Sequence, residues 1–268
     1  MSSTNKLKVV RDATPVIDDD AVPGTLFLSK NDKTGVSINA SIRDSCRPTP
    51  DCAVYCYGLV GRIAMPAALQ RQAENSALFS IDEGDWAQLA DEAVDVAHVV
   101  SRQQDFLRMF GVGDLQPGSV YFINQLSTYA KVAKPKFRIW VSTRKFELAE
   151  QLSANKNLHV MLSFDVSTPP RWRTAGLKLL AKRRPQFFAA WVRQTEGERV
   201  PSWVDVVFEQ HRHGHGRAKR AGHPKACPAT IHEKFPGAQP LNGACAKCRW
   251  CFDGAKRAEG APLDQFKK

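Results

Sequence analysis

Short apolar runs alternate with amphipathic stretches along most of the chain. Runs of strand length, alternating or continuously apolar, occur at 25–29, 36–39, 119–124, 136–141, 159–165 and 202–208. Over 66–79 and 84–110 the apolar residues recur at threes and fours instead, which predicts two amphipathic helices. Strands interspersed with helices predict an α/β fold built on a parallel sheet.

A third helix is predicted over 144–153, between two of the strands. Strand, helix, strand in this order is a parallel unit, and side chains at the carboxyl ends of parallel strands point into the active cleft. Ser142, Arg144 and Asp165 lie at or near these ends, so we expect them to bind a cofactor. Asp165 has a second interpretation, as the cap of the turn or helix that follows it.

Composition divides the chain into three regions. Residues 1–22 are polar and end in three aspartates, so we expect a mobile tail or a loosely attached strand. Residues 23–208 form the predicted α/β core. Within it, residues 171–193 interleave aromatic and aliphatic side chains with Arg and Lys, which suits a helix with one buried and one basic side. Residues 209–268 are predicted to be a basic His/Arg loop followed by a metal-binding segment.

Four cysteines near the end of the chain have the spacing of a metal site. Cys227, followed by Pro228, is separated by 17 residues from Cys245, Cys248 and Cys251. The spacing C-x2-C-x2-C is typical of the cysteines that bind an iron–sulfur cubane. Zinc sites more often have two thiols in each knuckle. We therefore predict a [4Fe–4S] cluster with Cys227 as the distant fourth ligand, and zinc as the alternative metal.

Three further cysteines lie in one Pro-containing loop after the second predicted strand. Cys46, Cys52 and Cys56 have the arrangement C-x5-C-x3-C. Three thiols can hold a cubane with one iron left open, and an open coordination position is where a metal site does chemistry. We therefore expect the functional centre here. Two alternatives remain: the cysteines are small buried apolar residues, or they complete one site shared with the C-terminal set.

Basic residues are concentrated in the last third of the chain. The net charge is +11, and residues 1–170 carry 18 Lys and Arg against 19 Asp and Glu, whereas residues 171–268 carry 20 against 8. Such a segment favours an anionic partner, with nucleic acid the commonest, because binding phosphates releases counterions. A solvated basic face is the alternative. The predicted nucleic-acid-binding residues are Arg171, Arg173, Lys182, Arg183, Arg184, Arg217, Lys219 and Arg220.

Other features narrow the class of protein. The sequence has no apolar segment after its first lysines and no run of about eighteen apolar residues, so we predict neither a signal peptide nor a membrane span. In the cytoplasmic protein that this predicts, the seven cysteines are ligands or buried thiols and not disulfides. No Ser-His-Asp order, Gly-rich phosphate loop or carboxylate pair stands out, which disfavours hydrolases and nucleotidases.

The two cysteine groups and several shorter motifs resemble a family of phage and plasmid proteins called gene product 88. The similarity rests on Lys30 with Thr34-Gly35, the Cys46–Tyr57 loop, Arg62 with Pro66-Ala67, the strand at 137–140, and Cys227-Pro228 with Cys251-Phe252. The resemblance implies a protein of a mobile element whose cysteines bind metal. It implies no particular reaction.

The N-terminal cysteine loop is also similar to that of radical S-adenosylmethionine enzymes, although the usual spacing there is C-x3-C-x2-C. In those enzymes three cysteines follow the first strand of a partial (β/α) barrel, with an aromatic residue next to the last one. Tyr55 precedes Cys56 here. The resemblance implies a partial (β/α) barrel-like sheet with a cysteine-rich C-terminal extension. It also implies a [4Fe–4S] cluster with an open iron that binds S-adenosylmethionine, with Tyr55 at the cofactor site.

Three functions of different class are compatible with these features. The first is an iron–sulfur redox enzyme with an auxiliary cluster. The second is a non-enzymatic nucleic-acid-binding or regulatory protein whose metal centres are structural. The third is an interaction protein that targets a host factor. Metal content separates the first from the others, and salt-dependent binding to DNA or RNA identifies the second.

Overall fold

One mixed sheet organises the part of the chain that the structure describes. The structure is a computed structural model, and it describes residues 6–11, 25–31, 35–54, 56–59, 61–80, 86–100, 105–195, 197–209, 227 and 250–252. The sheet has eight strands, ordered in space as they are along the chain. They are Lys6–Arg11 (β1), Thr25–Asn31 (β2), Gly35–Ile38 (β3), Phe106–Met109 (β4), Arg138–Thr143 (β5), Leu158–Phe164 (β6), Phe187–Arg193 (β7) and Val206–Glu209 (β8).

Most of the sheet is parallel. β2 and β3 form an antiparallel pair, β1 is parallel to β2, and every pairing from β3 to β8 is parallel. The sequence therefore predicted the α/β class and the parallel sheet correctly. Where the first region was expected to be a mobile tail or a loosely attached strand, Lys6–Arg11 is a strand.

Seven α-helices connect the strands in the described residues. They are Ile42–Ser45 (α1), Pro50–Val54 (α2), Pro66–Phe79 (α3), Trp86–Val100 (α4), Pro117–Ala133 (α5), Phe146–Ala149 (α6) and Pro170–Arg183 (α7). Proline occupies the first turn of α3, α5 and α7, where its missing N–H costs no hydrogen bond. The helix predicted over 66–79 is confirmed.

The helices α3 to α7 pack on one face of the sheet. Their apolar side chains and those of one strand face form the main core, with Phe79, Phe122, Phe146, Phe164 and Trp191 among its aromatic members. This arrangement follows from the topology, because right-handed crossovers between sequential parallel strands keep returning to the same side. The site described below lies at the edge where these strands end.

The opposite side, which we call the second face, carries a smaller apolar cluster. It contains Phe106, Trp140, Met161, Phe188, Ala190, Val206 and Trp250. Trp250 belongs to a one-turn 3-10 helix, and its ring meets that of Phe188 edge-on at a centroid distance of 5.7 Å. A piece of the C-terminal segment therefore covers this face.

Two predicted elements have the wrong type. The helix predicted over 84–110 ends at Val100, and Phe106–Met109 is a strand. The strand predicted over 119–124 lies inside α5, which begins at Pro117. Both segments contain four consecutive mostly apolar residues, a pattern that a buried strand and a buried helix share. Tertiary pairing and the proline helix start decided between them.

Two other predicted helices were too long. The helix predicted over 144–153 is reduced to the single turn of α6. The helix predicted over 171–193 ends at Arg183, and Phe187–Arg193 is β7. In β7 the apolar residues fill both faces of a central parallel strand, so aromatic residues follow one another without a helical period. No described helix is long and apolar enough to cross a membrane.

Candidate metal centre

The N-terminal cysteine loop starts where β3 ends. It consists of the two short helices α1 and α2, joined by residues 46–49. Cys46 ends the first helix, where its N–H donates to the carbonyl of Ile42 at 3.1 Å. Pro50 begins the second helix, which contains Cys52, and Cys56 follows it. Because both helices are so short, the loop keeps its three thiols close together.

A buried carboxylate, Asp114, ties the start of the loop to two strand ends. Its backbone N–H donates to Oγ of Ser45 at 2.9 Å, next to Cys46. Its carboxylate accepts hydrogen bonds from the Thr143 hydroxyl at 2.5 Å and from the Arg144 backbone N–H at 3.1 Å. Asp114 comes after β4, and Thr143 ends β5. The carboxyl ends of β4 and β5 are thereby joined beside Cys46.

A second buried carboxylate, Asp165, holds the middle of the loop from the end of β6. Its Oδ2 accepts a hydrogen bond from the Thr49 hydroxyl at 2.5 Å and lies 2.8 Å from Nη1 of Arg144. Oγ1 of Thr49 in turn accepts the backbone N–H of Cys52 at 3.2 Å. The Thr168 hydroxyl also donates to Asp165, at 3.1 Å. Asp165 therefore caps the turn before α7 as well as supporting the cysteine loop.

On its outer side the loop is attached to two helices through Arg47. The guanidinium lies 3.2 Å from the carboxylate of Glu147 in α6, and its Cζ is 4.4 Å from the centre of the Trp172 ring in α7. Arg47 and Glu147 are 50% and 60% exposed, so their ion pair stabilises the loop little. The stacking on Trp172 adds a cation–π contact.

The thiols of the loop affect one another's ionisation. The pKa of Cys46 is raised to about 12, first by burial and then by the negative charge of Asp114. Cys52 and Cys56 raise it further. Burial also raises the pKa of Cys52, while the nearby Arg144 guanidinium opposes that shift. Cys46 and Cys52 are therefore protonated at neutral pH in the absence of a cation, and binding a metal would release their protons.

Within the described residues, no three His, Cys, Asp or Glu side chains are arranged to hold a metal ion. The ligands of one zinc ion must nearly touch, because each thiolate sulfur lies about 2.3 Å from the metal. The ligands of a cubane each bind a different iron atom and stand further apart. The described positions of the three thiols therefore do not by themselves identify a metal.

Two of the four residues predicted to bind a cofactor come together at the loop. They are Arg144 and Asp165, which form an ion pair. Ser142 precedes Thr143 on β5 and therefore lies on the second face, because successive strand residues alternate. Tyr55 lies outside the described residues. Sequence reasoning had thus found two of the strand-end residues that surround the thiols.

Sequence reasoning missed the polar residues that hold the loop: Ser45, Thr49, Asp114 and Thr143. Asp114 had a usable signal, since it comes just after a strand in a Gly-rich turn. That strand, β4, was predicted as helix, so the rule that functional residues follow strand ends was not applied to it. Thr143 lies in the predicted Ser-Thr-Arg strand end but was not assigned a role.

The C-terminal cysteines are described in part. Cys227 and Cys251 are half-buried, and both pack against the apolar cluster of the second face. The N–H of Cys227 donates to the carbonyl of Val207 in β8 at 2.7 Å. Cys245 and Cys248 lie outside the described residues. The second cysteine group thus contacts the face of the sheet, whereas the first group lies at its carboxyl edge.

Several residues predicted to bind nucleic acid contact the protein itself. Arg183 donates to the carbonyl of Leu152 at 2.6 Å, and burial lowers its pKa. Arg184 lies 2.7 Å from the carboxylate of Asp205. Arg173 lies over the ring of Trp191, 5.7 Å from its centroid. These contacts hold α7 to its neighbours.

The remaining predicted basic residues are exposed or outside the described part of the chain. Arg171 and Lys178 are exposed on α7. Lys182 is exposed as well and lies 3.7 Å from Glu150. Arg217, Lys219 and Arg220 fall outside the described residues, as do the three histidines of the same basic loop. The exposed side of α7 is therefore the described basic surface that remains accessible to a partner.

Comparison with known proteins gives a family and nothing finer. Neither a curated protein nor a solved structure matches the sequence. The profile of the family described as Gene product 88 matches residues 11–254, a range that contains both cysteine groups and all strands from β2 to β8. That match covers far more than half of the chain. The protein belongs to the Gene product 88 family.

Proposed function

We propose that Cys46, Cys52 and Cys56 bind a [4Fe–4S] cluster that keeps one iron free of protein ligands, and that the chain is a redox enzyme of a mobile element. The observation that supports this most is the grouping of three thiols on one loop at the carboxyl edge of a parallel sheet, where Cys52 and Cys56 are close enough to raise the pKa of Cys46. In α/β folds that edge is where catalytic sites occur. Three thiols and two buried carboxylates give this edge negative groups that would favour a bound cation.

The composition of the loop favours a cluster over a single zinc ion. A structural zinc site has four protein ligands, whereas the loop supplies three thiols. A bound cluster would supply one-electron transfer at an iron atom with an open coordination position. The chain's own residues have other tasks: Thr49 and Ser45 orient the loop, and Asp165 keeps Arg144 beside Cys52.

The sheet order supports a partial (β/α) barrel as the finer architecture. From β3 to β8 every strand pairs with the next one in parallel, and the helices between them pack on one side. Such a singly wound sheet curls around its second face, as in a barrel that remains open. Under this proposal S-adenosylmethionine is the cofactor, and it would lie at the second face near Ser142. Tyr55 and the Arg144–Asp165 pair would line the same site.

We further propose that Cys227, Cys245, Cys248 and Cys251 hold a second, structural [4Fe–4S] centre. The support is the position of Cys227 and Cys251, which pack against one apolar cluster although 23 residues separate them in sequence. A metal bound by this set would attach the end of the chain to the sheet, and a structural metal contributes its binding free energy to folding.

Metal analysis of protein purified without oxygen tests both proposals. We expect about eight iron and eight sulfide ions per chain, visible absorbance, and an electron paramagnetic resonance spectrum that changes on adding S-adenosylmethionine. The variant Cys52→Ser should lose about half of the iron, and Cys251→Ser the other half. Stoichiometric zinc without visible absorbance would contradict the cluster proposal, and an unchanged resonance spectrum would contradict the cofactor.

The second candidate function is a non-enzymatic, metal-stabilised protein that binds nucleic acid. It is favoured by the excess of basic residues after position 170 and by Arg171, Lys178 and Lys182 on the exposed side of α7. Under this function, binding to DNA or RNA should weaken steeply as salt rises, and Arg171→Gln with Lys178→Gln should reduce the salt slope by about two. Binding that is absent at low salt would exclude it.

A further inference from the structure

The second face changes character along the strands. Part of it is apolar, with Phe106 on β4 and Trp140 on β5 in its cluster. Further along the same strands the side chains on this face become polar. These residues are Ser37 on β3, Arg108 on β4, Ser142 on β5 and Ser163 on β6, followed by Asn39 just after β3. The polar half is the one next to the cysteine loop.

Arg108 is the charged residue of this polar strip, and its guanidinium is held in a defined position. It is paired in register with Ser37 on one side and Trp140 on the other. Its Cζ lies 4.7 Å from the centre of the Trp140 ring, in a cation–π contact. Ser142, two residues beyond Trp140 on the same face, is its diagonal neighbour across β5.

The positive charge of Arg108 has no counterion in the described part of the chain. None of the ion pairs there involves Arg108, and its Nε is buried without a hydrogen-bond partner. A half-buried guanidinium without an anion is costly, because its buried Nε–H has lost water without gaining an acceptor. By contrast, a carboxylate oxygen lies 2.8 Å from the guanidinium of Arg144, and another lies 2.7 Å from that of Arg184.

The backbone of Gly111 approaches the Arg108 guanidinium closely. A Cβ at Gly111 would lie 3.6 Å from the Arg108 Cζ and 2.8 Å from Oδ1 of Asn39. That same Oδ1 accepts the N–H of Val112 at 3.0 Å, which fixes the turn. A Cβ at Gly58 in the cysteine loop would lie 2.9 Å from Val112. The turn that follows Arg108 therefore packs directly against the cysteine loop.

We propose that Arg108, with the Ser142 hydroxyl beside it, binds the oxoanion group of a small molecule, a carboxylate or a phosphate. The guanidinium presents a planar fork of N–H donors that matches both groups in bidentate geometry. The contact with the Trp140 ring holds that fork in place. The rest of the bound molecule would extend toward Cys56, across the turn that contains Val112.

Binding of simple anions to the full chain tests this site. The probes are inorganic phosphate and malonate, each titrated at constant ionic strength against chloride, with the thermal midpoint and calorimetric heat as readouts. We expect one of them to bind, and the one that binds more tightly identifies the group. Arg108→Gln should weaken that binding at least about tenfold. Binding does not require the cluster, so a failure here leaves the proposed metal centre standing.

The matched control is Arg138→Gln. Arg138 also projects from the second face, but at the amino end of β5, where it donates to the carbonyl of Pro135 at 2.8 Å. The affinity of the Arg138→Gln variant for the anion should stay within about twofold of the wild-type affinity. If Arg108→Gln does not fold, Arg108→Lys keeps the charge without the fork and should still bind several-fold more weakly. Equal binding by wild type and the Arg108 variant, or no binding by wild type, would overturn the proposal.

Discussion

The guanidinium of Arg144 lies 2.8 Å from the carboxylate of Asp165, and the two side chains are 11% and 0% exposed. The pair joins the ends of β5 and β6, and the same carboxylate oxygen holds Thr49 of the cysteine loop. Removing one partner of a buried pair leaves the other charge uncompensated. We therefore expect Asp165→Asn to lower the free energy of unfolding by about 3 kcal/mol, measured by urea denaturation.

The control for this prediction is an exposed ion pair. Lys182 and Glu150 are 71% and 63% exposed and lie 3.7 Å apart, so Lys182→Gln should change the free energy of unfolding by less than about 0.5 kcal/mol. The double variant Arg144→Gln with Asp165→Asn should cost less than the sum of the two single variants. A cost for Asp165→Asn no larger than that for Lys182→Gln would show that the pair does not support the loop.

Thr49 connects Asp165 to the backbone of Cys52 through two hydrogen bonds. Thr49→Val keeps the shape of the side chain but removes both bonds and leaves a buried carboxylate oxygen with one partner fewer. We expect a loss of about 1–3 kcal/mol of stability and a lower iron content at the N-terminal loop in the purified protein. Ser80→Ala, which removes an exposed hydroxyl at the end of α3, is the neutral comparison. Full iron content in Thr49→Val would show that metal binding does not depend on the hydrogen bonds of Thr49.

Cys46 gives the metal-free protein a specific pH dependence. Its folded pKa of about 12 lies above the ordinary thiol value, so the unfolded chain loses this proton first as pH rises. The resulting stability is present below about pH 9 and is lost as pH approaches 12. Between pH 9 and 11 the free energy of unfolding should fall by about 2 kcal/mol more in the wild type than in Cys46→Ser. Parallel curves for the two proteins would contradict the burial of this thiol.

The two cysteine groups should differ in what their loss does to the fold. Cys248→Ser removes a proposed ligand of the structural centre, so we expect the thermal midpoint to fall by about 10 °C. Cys52→Ser should leave a folded protein that lacks the N-terminal centre, because Ser45 and Thr49 still attach the loop to the sheet. Calorimetry together with iron analysis measures both. Equal thermal midpoints and equal iron contents in the two variants would contradict the assignment of one functional and one structural centre.

The local pattern of apolar residues was sufficient to predict an element where the pattern was long or began at a proline. Pro66 and the apolar spacing behind it predicted α3 with both ends correct, and the runs around Trp140 and Met161 predicted β5 and β6. From those two strands the positions of Arg144 and Asp165 at a common edge followed directly. The cysteine spacing likewise placed three thiols in one loop at that edge.

Tertiary structure decided whether the short apolar segments form strands or helices. With them it decided the positions of about half of the residues around the candidate site. Phe106–Met109 is a strand because it fills the gap between β3 and β5, and Val120–Ile123 is helical because a proline-started helix runs through it. No local pattern carries that information, since four apolar residues suit either element. Asp114 and Arg108 acquire their contacts with Thr143 and Trp140 only once β4 is in the sheet. The sequence by itself placed the thiols in one loop and Arg144 and Asp165 at the ends of two strands, whereas strand pairing decided which polar residues meet them.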